Sequence, residues 1–574
     1  MAMTDTVSGV LLKILRKHGI RHIFGLPAAQ LGLVMDGAGK DPWFTYMTTR
    51  HEEAAGHMAH AIAKTTDSMA ACFGTVGPGC TNMVPGVAAA WADNIPLLAL
   101  TPDNQSWLIE PNRDLLQNAQ QLKLYTAITK WNAAIRQPQR APELVERALH
   151  IARSGRPGPV HLDIPCDIGS APCAHDLDSI PTIEVPRPAP SAGDLAKLVD
   201  LLRKAARPVL IAGGGVARSG ATEQFRELVR RTGCAAVTTC NGFGIVPVDA
   251  PSYLGGAGVL GGYGLVRSLQ EADLIVAFGC KFSSFMPVNK PPVYPVPAGQ
   301  KIVQVDIDDE ALGRNTPLAL GIAADARTTL TALNEALARG GVQADAGWLQ
   351  AMLAEKQRYR ADLDAIADAK FTRGTQLMNE AALAREIARL VPDDAILVFD
   401  GGQAMEWSHS FMQPSHPQRF VFNPGMGHLG MGQPFANGAA AAHPELPVVL
   451  VTGDGGMGCT VQELETAARY KLRTTTIVMN DSHWGMYRPL GEMLANQNFG
   501  TRLTQVDFAQ VAQGFGCHGE RVTRLDELPA AFRRAQEAGG PAVIDVHCDF
   551  TPHPMDAFWP QVVLAGVNFA PAGG

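Results

Sequence analysis

An α/β protein of three doubly wound units, each with a mostly parallel sheet, is the architecture this chain encodes. Short apolar runs, many ending in glycine or a turn, alternate with helix-length amphipathic stretches. That is the pattern of strands covered on both faces by helices. The length of 574 residues exceeds what one hydrophobic core serves. Two stretches of different composition, one rich in proline and one rich in alanine and charge, divide the chain into three.

The first unit, 1–170, opens on a helical pattern (Val7, Val10, Leu11, Ile14, Leu15). The short apolar Ile23-Phe24-Gly25 follows. Ala70–Phe73, Ile95–Leu100 and Val160–Pro165 read as its further strands. Residues 171–192 carry Pro172, Pro181, Pro186, Pro188 and Pro190 and read as a linker. The second unit, 193–340, has Pro208–Ala212 entering Gly213-Gly214-Gly215, Leu274–Phe278 entering Gly279, and then Ile302–Asp306. A helical connection, 341–372, leads to the third unit, 373–574, with strands Ala395–Phe399, Pro447–Val451, Thr475–Met479 and Ala542–Val546.

Composition narrows the function. Hydrophobic residues at 46% and charged residues at 18% describe an ordinary globular protein. A net charge of −7 without a Lys/Arg cluster gives no footprint for nucleic acid. No apolar run reaches the ~18 residues of a membrane span, and Met1-Ala2-Met3-Thr4-Asp5-Thr6 lacks a charged-then-apolar signal pattern. The ten cysteines form no CxxC pair. They read as reduced thiols of a cytoplasmic protein.

The most specific chemistry lies in Val451-Thr452-Gly453-Asp454-Gly455-Gly456 and Asn480-Asp481-Ser482-His483. Gly-Asp-Gly by itself marks a tight turn more often than a site. However, the 27 positions from Asp454 to Asp481 suffice for a helix and a returning parallel strand. Such a crossover brings both carboxylates to one sheet edge. Oxygen ligands beside glycine amides suit Mg²⁺ holding a diphosphate.

Further motifs stand in order along nearly the whole chain. They are Phe24–Pro27, Thr49-Arg50-His51-Glu52-Glu53 to Ala59, Gly77–Asn82, Ile128–Trp131, Gly158–Pro165 and Gly425-Met426-Gly427-His428-Leu429-Gly430-Met431-Gly432. With Gly453–Asp481 they make the chain similar to the thiamine diphosphate enzymes of the acetolactate synthase, benzaldehyde lyase and pyruvate decarboxylase group. The resemblance implies a pyrimidine-binding, a central and a diphosphate-binding domain, and a homodimer as the minimum active unit, tetramers being common. It also implies thiamine diphosphate and Mg²⁺ as cofactors.

By the same resemblance, Glu52 is the acid that addresses the pyrimidine ring so that a C2 carbanion forms and attacks a carbonyl. Adjacent carboxylates on a helix point about 100° apart, so Glu53 faces elsewhere. Asp454, Asp481 and the carbonyl of His483 would ligate the metal. Asp481 departs from the usual asparagine and adds a negative charge beside the diphosphate, so binding is expected to depend more strongly on metal and pH. Gly402, Gln403, Gly453, Gly455, Gly456 and Gly485 would serve the phosphates, with Met486 beside them. Leu429 would be the wedge that bends the cofactor, and the Gly427 carbonyl would accept from its 4′-amino group. His51 and His57 are given no catalytic role.

Substrate would meet Pro27, Ala28, Ala29, Gln30, Gln117, His428, Trp484, Met486 and Tyr487. Gln30 stands where benzaldehyde lyases carry histidine, and Gln117 matches a glutamine of the synthases and lyases. A pocket poor in acids leaves an enamine-carbanion alive to attack a second carbonyl, which favours carboligation. His428 is the group that could supply a proton instead. The expected activity is a carboligase or C–C lyase acting on a small 2-oxo acid, aldehyde or 2-hydroxy ketone. A 2-oxo acid decarboxylase, a benzaldehyde lyase-like acyloin lyase and a non-catalytic cofactor-binding protein are the rivals. In the central unit, Phe278-Gly279-Cys280-Lys281-Phe282-Ser283-Ser284 replaces the Arg-Phe-Asp-Asp run of flavin-binding synthases, and Gly261-Gly262-Tyr263-Gly264 replaces a histidine-bearing turn. An empty site is favoured over bound FAD.

Overall fold

A computed structural model describes residues 5–557 except 112, 175–181, 292, 339, 343, 370–376 and 489–499. Pro181 of the expected linker, and parts of both expected connections, lie outside the described residues.

Three parallel sheets follow one another along the chain. The first contains β1 (His22–Gly25), β2 (Thr45–Thr48), β3 (Ala70–Phe73), β4 (Leu98–Asp103), β5 (Trp131–Ala134) and β6 (Val160–Pro165), in the order β2-β1-β3-β4-β6-β5. The second contains β7 (Pro208–Ala212), β8 (Ala235–Thr238), β9 (Tyr253–Gly255), β10 (Leu274–Phe278), β11 (Lys301–Asp306) and β12 (Leu320–Ala323), in the order β12-β11-β10-β7-β8-β9. The third contains β13 (Met378–Asn379), β14 (Ile396–Phe399), β15 (Phe420–Val421), β16 (Val448–Gly453), β17 (Thr474–Asn480), β18 (His518–Val522) and β19 (Ala542–Asp549). Its order is β13-β19-β17-β16-β14-β15, with β18 also paired to β19.

Alternation explains why these strands are apolar throughout. In β3, Ala71 and Phe73 enter one core while Ala70 and Cys72 enter the core on the opposite face. In β7, Val209 and Ile211 pack on one side, Leu210 and Ala212 on the other. Both faces are covered, as parallel sheets require.

The expected strand Ile95–Leu100 is displaced. β4 begins at Leu98 and runs on to Asp103, because Pro96 has no N–H to give to a ladder. A single helix was expected between Asp454 and Asp481. Two short ones form, Asp454–Thr460 and Glu463–Arg469. The connection near 345–370 is a continuous helix, Ala346–Asp368. All ten cysteines are free, and among the described residues no helix is long and apolar enough to cross a membrane.

In a parallel sheet all strands end at one edge, and every expected site residue follows a strand end. Gln30 comes after β1, Glu52 after β2 and Gln117 after β4. Gly402 and Gln403 follow β14, Gly427–Leu429 follow β15, Asp454–Gly456 follow β16, and Asp481–Met486 follow β17. Ligands of doubly wound sheets bind at this carboxyl edge.

Candidate active site

Glu52 is the first residue of the helix Glu52–Thr65 and is buried. Its Oε2 accepts from Asn82 Nδ2 at 3.1 Å. Two glycines make its room: a Cβ at Gly79 would stand 3.0 Å from Glu52 Oε1, and one at Gly74 would stand 3.0 Å from its Cγ. Gln30 Oε1 accepts from Thr75 Oγ1 at 3.1 Å, one residue beyond Gly74, which ties the loop after β1 to this corner. Gly77, at φ +71°, packs its Cα on the backbone of Gln117, itself at φ +58°. The Gln117 side chain is exposed. Among the described residues, these partners all belong to the first unit.

Glu53 turns away, as the helical angle requires. His51 caps the helix by accepting from the Glu53 N–H at 3.3 Å. The Glu53 carboxylate contacts Nε2 of His428 and lies 3.5 Å from Nε2 of His57. Burial alone would raise its pKa, but the hydrogen bond to His428 and the nearby charges of His57 and His428 outweigh that and hold it well below the carboxylate range. The same bond raises His428 above the usual imidazole value, against the effect of burial.

On the third sheet, β16 and β17 are adjacent and in register, Gly453 opposite Met479. Asp454 and Asp481 therefore emerge side by side. Gly453, extended at φ −82°, caps the helix that Asp454 begins. Burial, followed by the charge of Asp481, pushes the Asp454 carboxyl up to about 7. Burial likewise pushes Asp481 up to about 6. Asp481 Oδ1 accepts from the His483 N–H at 3.0 Å, while Oδ2 is buried without a hydrogen-bond partner among the described residues. The His483 ring folds back to the Asp481 carbonyl at 2.7 Å, so the imidazole is engaged locally. Buried Asp454 beside half-buried Asp481, whose Oδ2 has no partner among the described residues, fits a hard divalent cation.

Gly402 (φ +83°) precedes the helix Gln403–Phe411. Gln403 donates its Nε2 to the Thr551 carbonyl at 2.6 Å and leaves Oε1 buried and unpartnered among the described residues, aimed at Gly485. The Trp484 ring lies over Gly455. Met486, in the turn Gly485–Tyr487, is partly buried against the core. Gly427, at φ +62°, is exposed, and half-buried Leu429 rests on Gly401, where a Cβ would stand 2.7 Å from Leu429 Cδ2.

Asp400 was missed in the sequence, although it ties these loops together. It accepts from the N–H groups of Gly401 (2.7 Å), Gly430 (3.0 Å) and Gly432 (3.2 Å) and from Thr452 Oγ1 (3.2 Å). This joins the ends of β14 and β16 to the loop carrying Leu429, and a Cβ at Gly456 would stand 2.9 Å from Asp400 Oδ2. The available signal was a lone aspartate ending an apolar strand before two glycines.

In the central unit the glycine turn is already filled. Gly213 and Gly215 donate their amides to the carbonyls of Phe278 (2.9 Å) and Gly279 (3.1 Å). A Cβ at Gly214 would stand 2.9 Å from Asn241 Cβ. Lys281 Nζ donates to the Ala92 carbonyl of the first unit at 3.0 Å.

Three family descriptions match the chain: "Thiamine pyrophosphate enzyme, N-terminal TPP binding domain" over 5–125, the central domain over 195–333, and the C-terminal TPP binding domain over 400–546. The chain is 31% identical to a probable acetolactate synthase large subunit of Methanocaldococcus jannaschii, over 94% of this chain and 91% of that one. It is 30% identical to the acetolactate synthase isozyme 2 large subunit of Escherichia coli (96% and 97% covered). The identity is also 30% to the acetolactate synthase large subunit of Corynebacterium glutamicum (95% and 86%).

Proposed function

Since the chain belongs to the thiamine pyrophosphate enzymes, we propose that it is a thiamine diphosphate- and Mg²⁺-dependent carboligase or C–C lyase. Its substrates are 2-oxo acids or 2-hydroxy ketones, as expected of an acetolactate synthase-like enzyme. The observation that carries this reading is the pair Asp454 and Asp481 at the ends of adjacent parallel strands, with Asp481 Oδ2 unpartnered among the described residues.

In this proposal residues 1–170 bind the pyrimidine, 193–340 form the central domain, and 373–574 bind the diphosphate. When bound, thiamine diphosphate supplies a nucleophilic carbon and an electron sink for making or breaking a bond beside a carbonyl. Asp454, Asp481 and the His483 carbonyl hold Mg²⁺. Gly402, Gln403, Gly453, Gly455, Gly456, Gly485 and Met486 line the diphosphate. Leu429 and the Gly427 carbonyl position the rings, and Glu52 holds a proton at the pyrimidine nitrogen. Gln30 and Gln117 orient the substrate, and His428, bonded to Glu53, lines the pocket as the group that would supply a proton in the rival reaction. The central unit works without flavin in this reading, which the Gly213 and Gly215 amides support by being bonded already to the backbone of Phe278 and Gly279.

Large apolar side chains stand exposed beside site residues: Leu116 (84%) next to Gln117, Met426 (51%) next to Gly427, and Tyr487 (58%) next to Met486. As in the family the chain resembles, the active unit is a homodimer whose site takes Glu52 from one subunit and Asp454 from the other, within a cytoplasmic homotetramer.

Incubating the loaded protein with pyruvate and following CO₂, acetaldehyde and acetolactate tests the reading. Acetolactate is expected, and free aldehyde as the sole product would defeat the ligase. The bond to Glu53, which raises the pKa of His428, makes that second outcome, a decarboxylase-like proton transfer, the rival to be measured.

A further inference from the structure

Glu53 and His57 stand four positions apart on one helix, hence one above the other on one face. The third member, His428, reaches them from the loop after β15, 375 positions along the chain. One ligand atom from each of the three lies within 4.8 Å of the other two. The two imidazoles stack with centroids 5.3 Å apart and 22° between planes.

His57 is the anomaly. It is fully buried, yet neither ring nitrogen has a hydrogen-bond partner among the described residues. Its 3.5 Å separation from Glu53 is too long for a good hydrogen bond. A buried polar group left in that state costs free energy that native folds normally avoid. Burial keeps His57 neutral, which leaves a nitrogen lone pair available to a ligand. Packing does not supply a polar partner, since the ring's other neighbour is the edge of Phe435.

We propose that Glu53, His57 and His428 form a second metal site, for a divalent transition metal ion of the Zn²⁺ class, distinct from the Mg²⁺ clamp. Two imidazoles and one carboxylate are the donors that borderline ions select, whereas Mg²⁺ prefers oxygen alone. Bonds of about 2.0 Å in tetrahedral geometry separate donor atoms by roughly 3.3 Å. The Glu53–His57 spacing already fits, and only His428 has to swing back from its contact with Glu53. The partial exposure of His428 leaves the fourth position open to water. The ion fastens the helix after Glu52 to the loop carrying Leu429. It also takes the place of the proton that Glu53 and His428 share, so metal occupancy silences His428 as a donor.

The test is a titration of the full chain, loaded with thiamine diphosphate and saturating Mg²⁺, with Co²⁺. One equivalent per chain should give the intense visible bands of four- or five-coordinate Co²⁺, which octahedral oxygen-bound Co²⁺ at the clamp does not show. Zn²⁺ should bleach them. His428→Ala, a change at a partly exposed side chain, should weaken Co²⁺ binding at least tenfold, and His57→Gln should do so too if it folds. Absence of the bands, or bands unchanged in His428→Ala, would overturn the site. Because the readout is spectroscopic, the outcome is independent of which carbonyl reaction the enzyme performs.

Discussion

Asp481 accepts with one carboxylate oxygen from the backbone N–H of His483 at 3.0 Å and keeps the other buried with no donor among the described residues. In the relatives' pattern an asparagine stands here, and its amide carries no charge. Asp481→Asn should therefore make cofactor uptake less dependent on metal. Wild-type protein is expected to lose at least tenfold in thiamine diphosphate affinity when Mg²⁺ is chelated, and the variant distinctly less. Thermal shift against cofactor concentration, with and without EDTA, measures both. An equal loss in the two proteins would mean the extra charge has no consequence.

Glu52→Gln should separate chemistry from binding. Loss of a positioned acid typically costs about 10²–10⁴-fold in rate, whereas Glu52 makes no contact with the diphosphate residues among the described side chains. Steady-state turnover should fall by at least two orders of magnitude while cofactor affinity stays within a few-fold. Wild-type rates would dismiss Glu52 as the acid.

Gly401→Ala should disturb the wedge without touching it chemically. The new methyl would stand 2.7 Å from Leu429 Cδ2, a distance that forces Leu429 to move. Cofactor affinity should drop about tenfold, with a stability loss of about 1–3 kcal/mol for the crowding. Unchanged affinity, measured by fluorescence titration, would show that Leu429 does not bear on the cofactor.

Glu463 predicts a pH-dependent stability. Its carboxylate accepts from the Arg50 N–H at 3.0 Å and from Thr466 Oγ1 at 2.7 Å, linking the first unit to the third. Burial, the largest influence, pushes its pKa up to about 7 from 4.5. A raised carboxyl favours the folded state most below its ordinary pKa, and that advantage is lost as pH rises through the folded value. Glu463→Gln should thus gain stability relative to wild type between pH 4.5 and 7, by on the order of 1–3 kcal/mol above that window. Melting temperatures across pH 4.5–8 that run parallel would contradict this.

Much of the fold could be read from local pattern, because its central strands are buried on both faces and so are apolar without interruption, as in β7 and β10. β2, β5 and β18 escaped notice, since Thr45, Trp131 and His518 begin short, half-exposed runs that resemble loop, and so did β8, β9, β12, β13 and β15, which are only two to four residues long. Asp454 and Asp481 were legible because a crossover fixes their spacing. The divergence of Glu52 from Glu53 followed from helix geometry alone. The place where Glu53 goes did not follow, for His428 lies 375 positions away and only packing brings the two together. Asp400 was hidden for the same reason, its partners spanning three strand ends.

The central claim, one cofactor held between Glu52 of one subunit and Asp454 of the other, is tested most directly by mixing two dead variants. Glu52→Gln and Asp454→Ala chains, each inactive alone, should form hybrid dimers in which one of two sites carries both intact residues. After subunit exchange, roughly a quarter of all sites should be active. Recovery to that level is the expected result. No recovery, with mixed dimers demonstrated by mass, would place both carboxylates in the same chain's site and contradict the account.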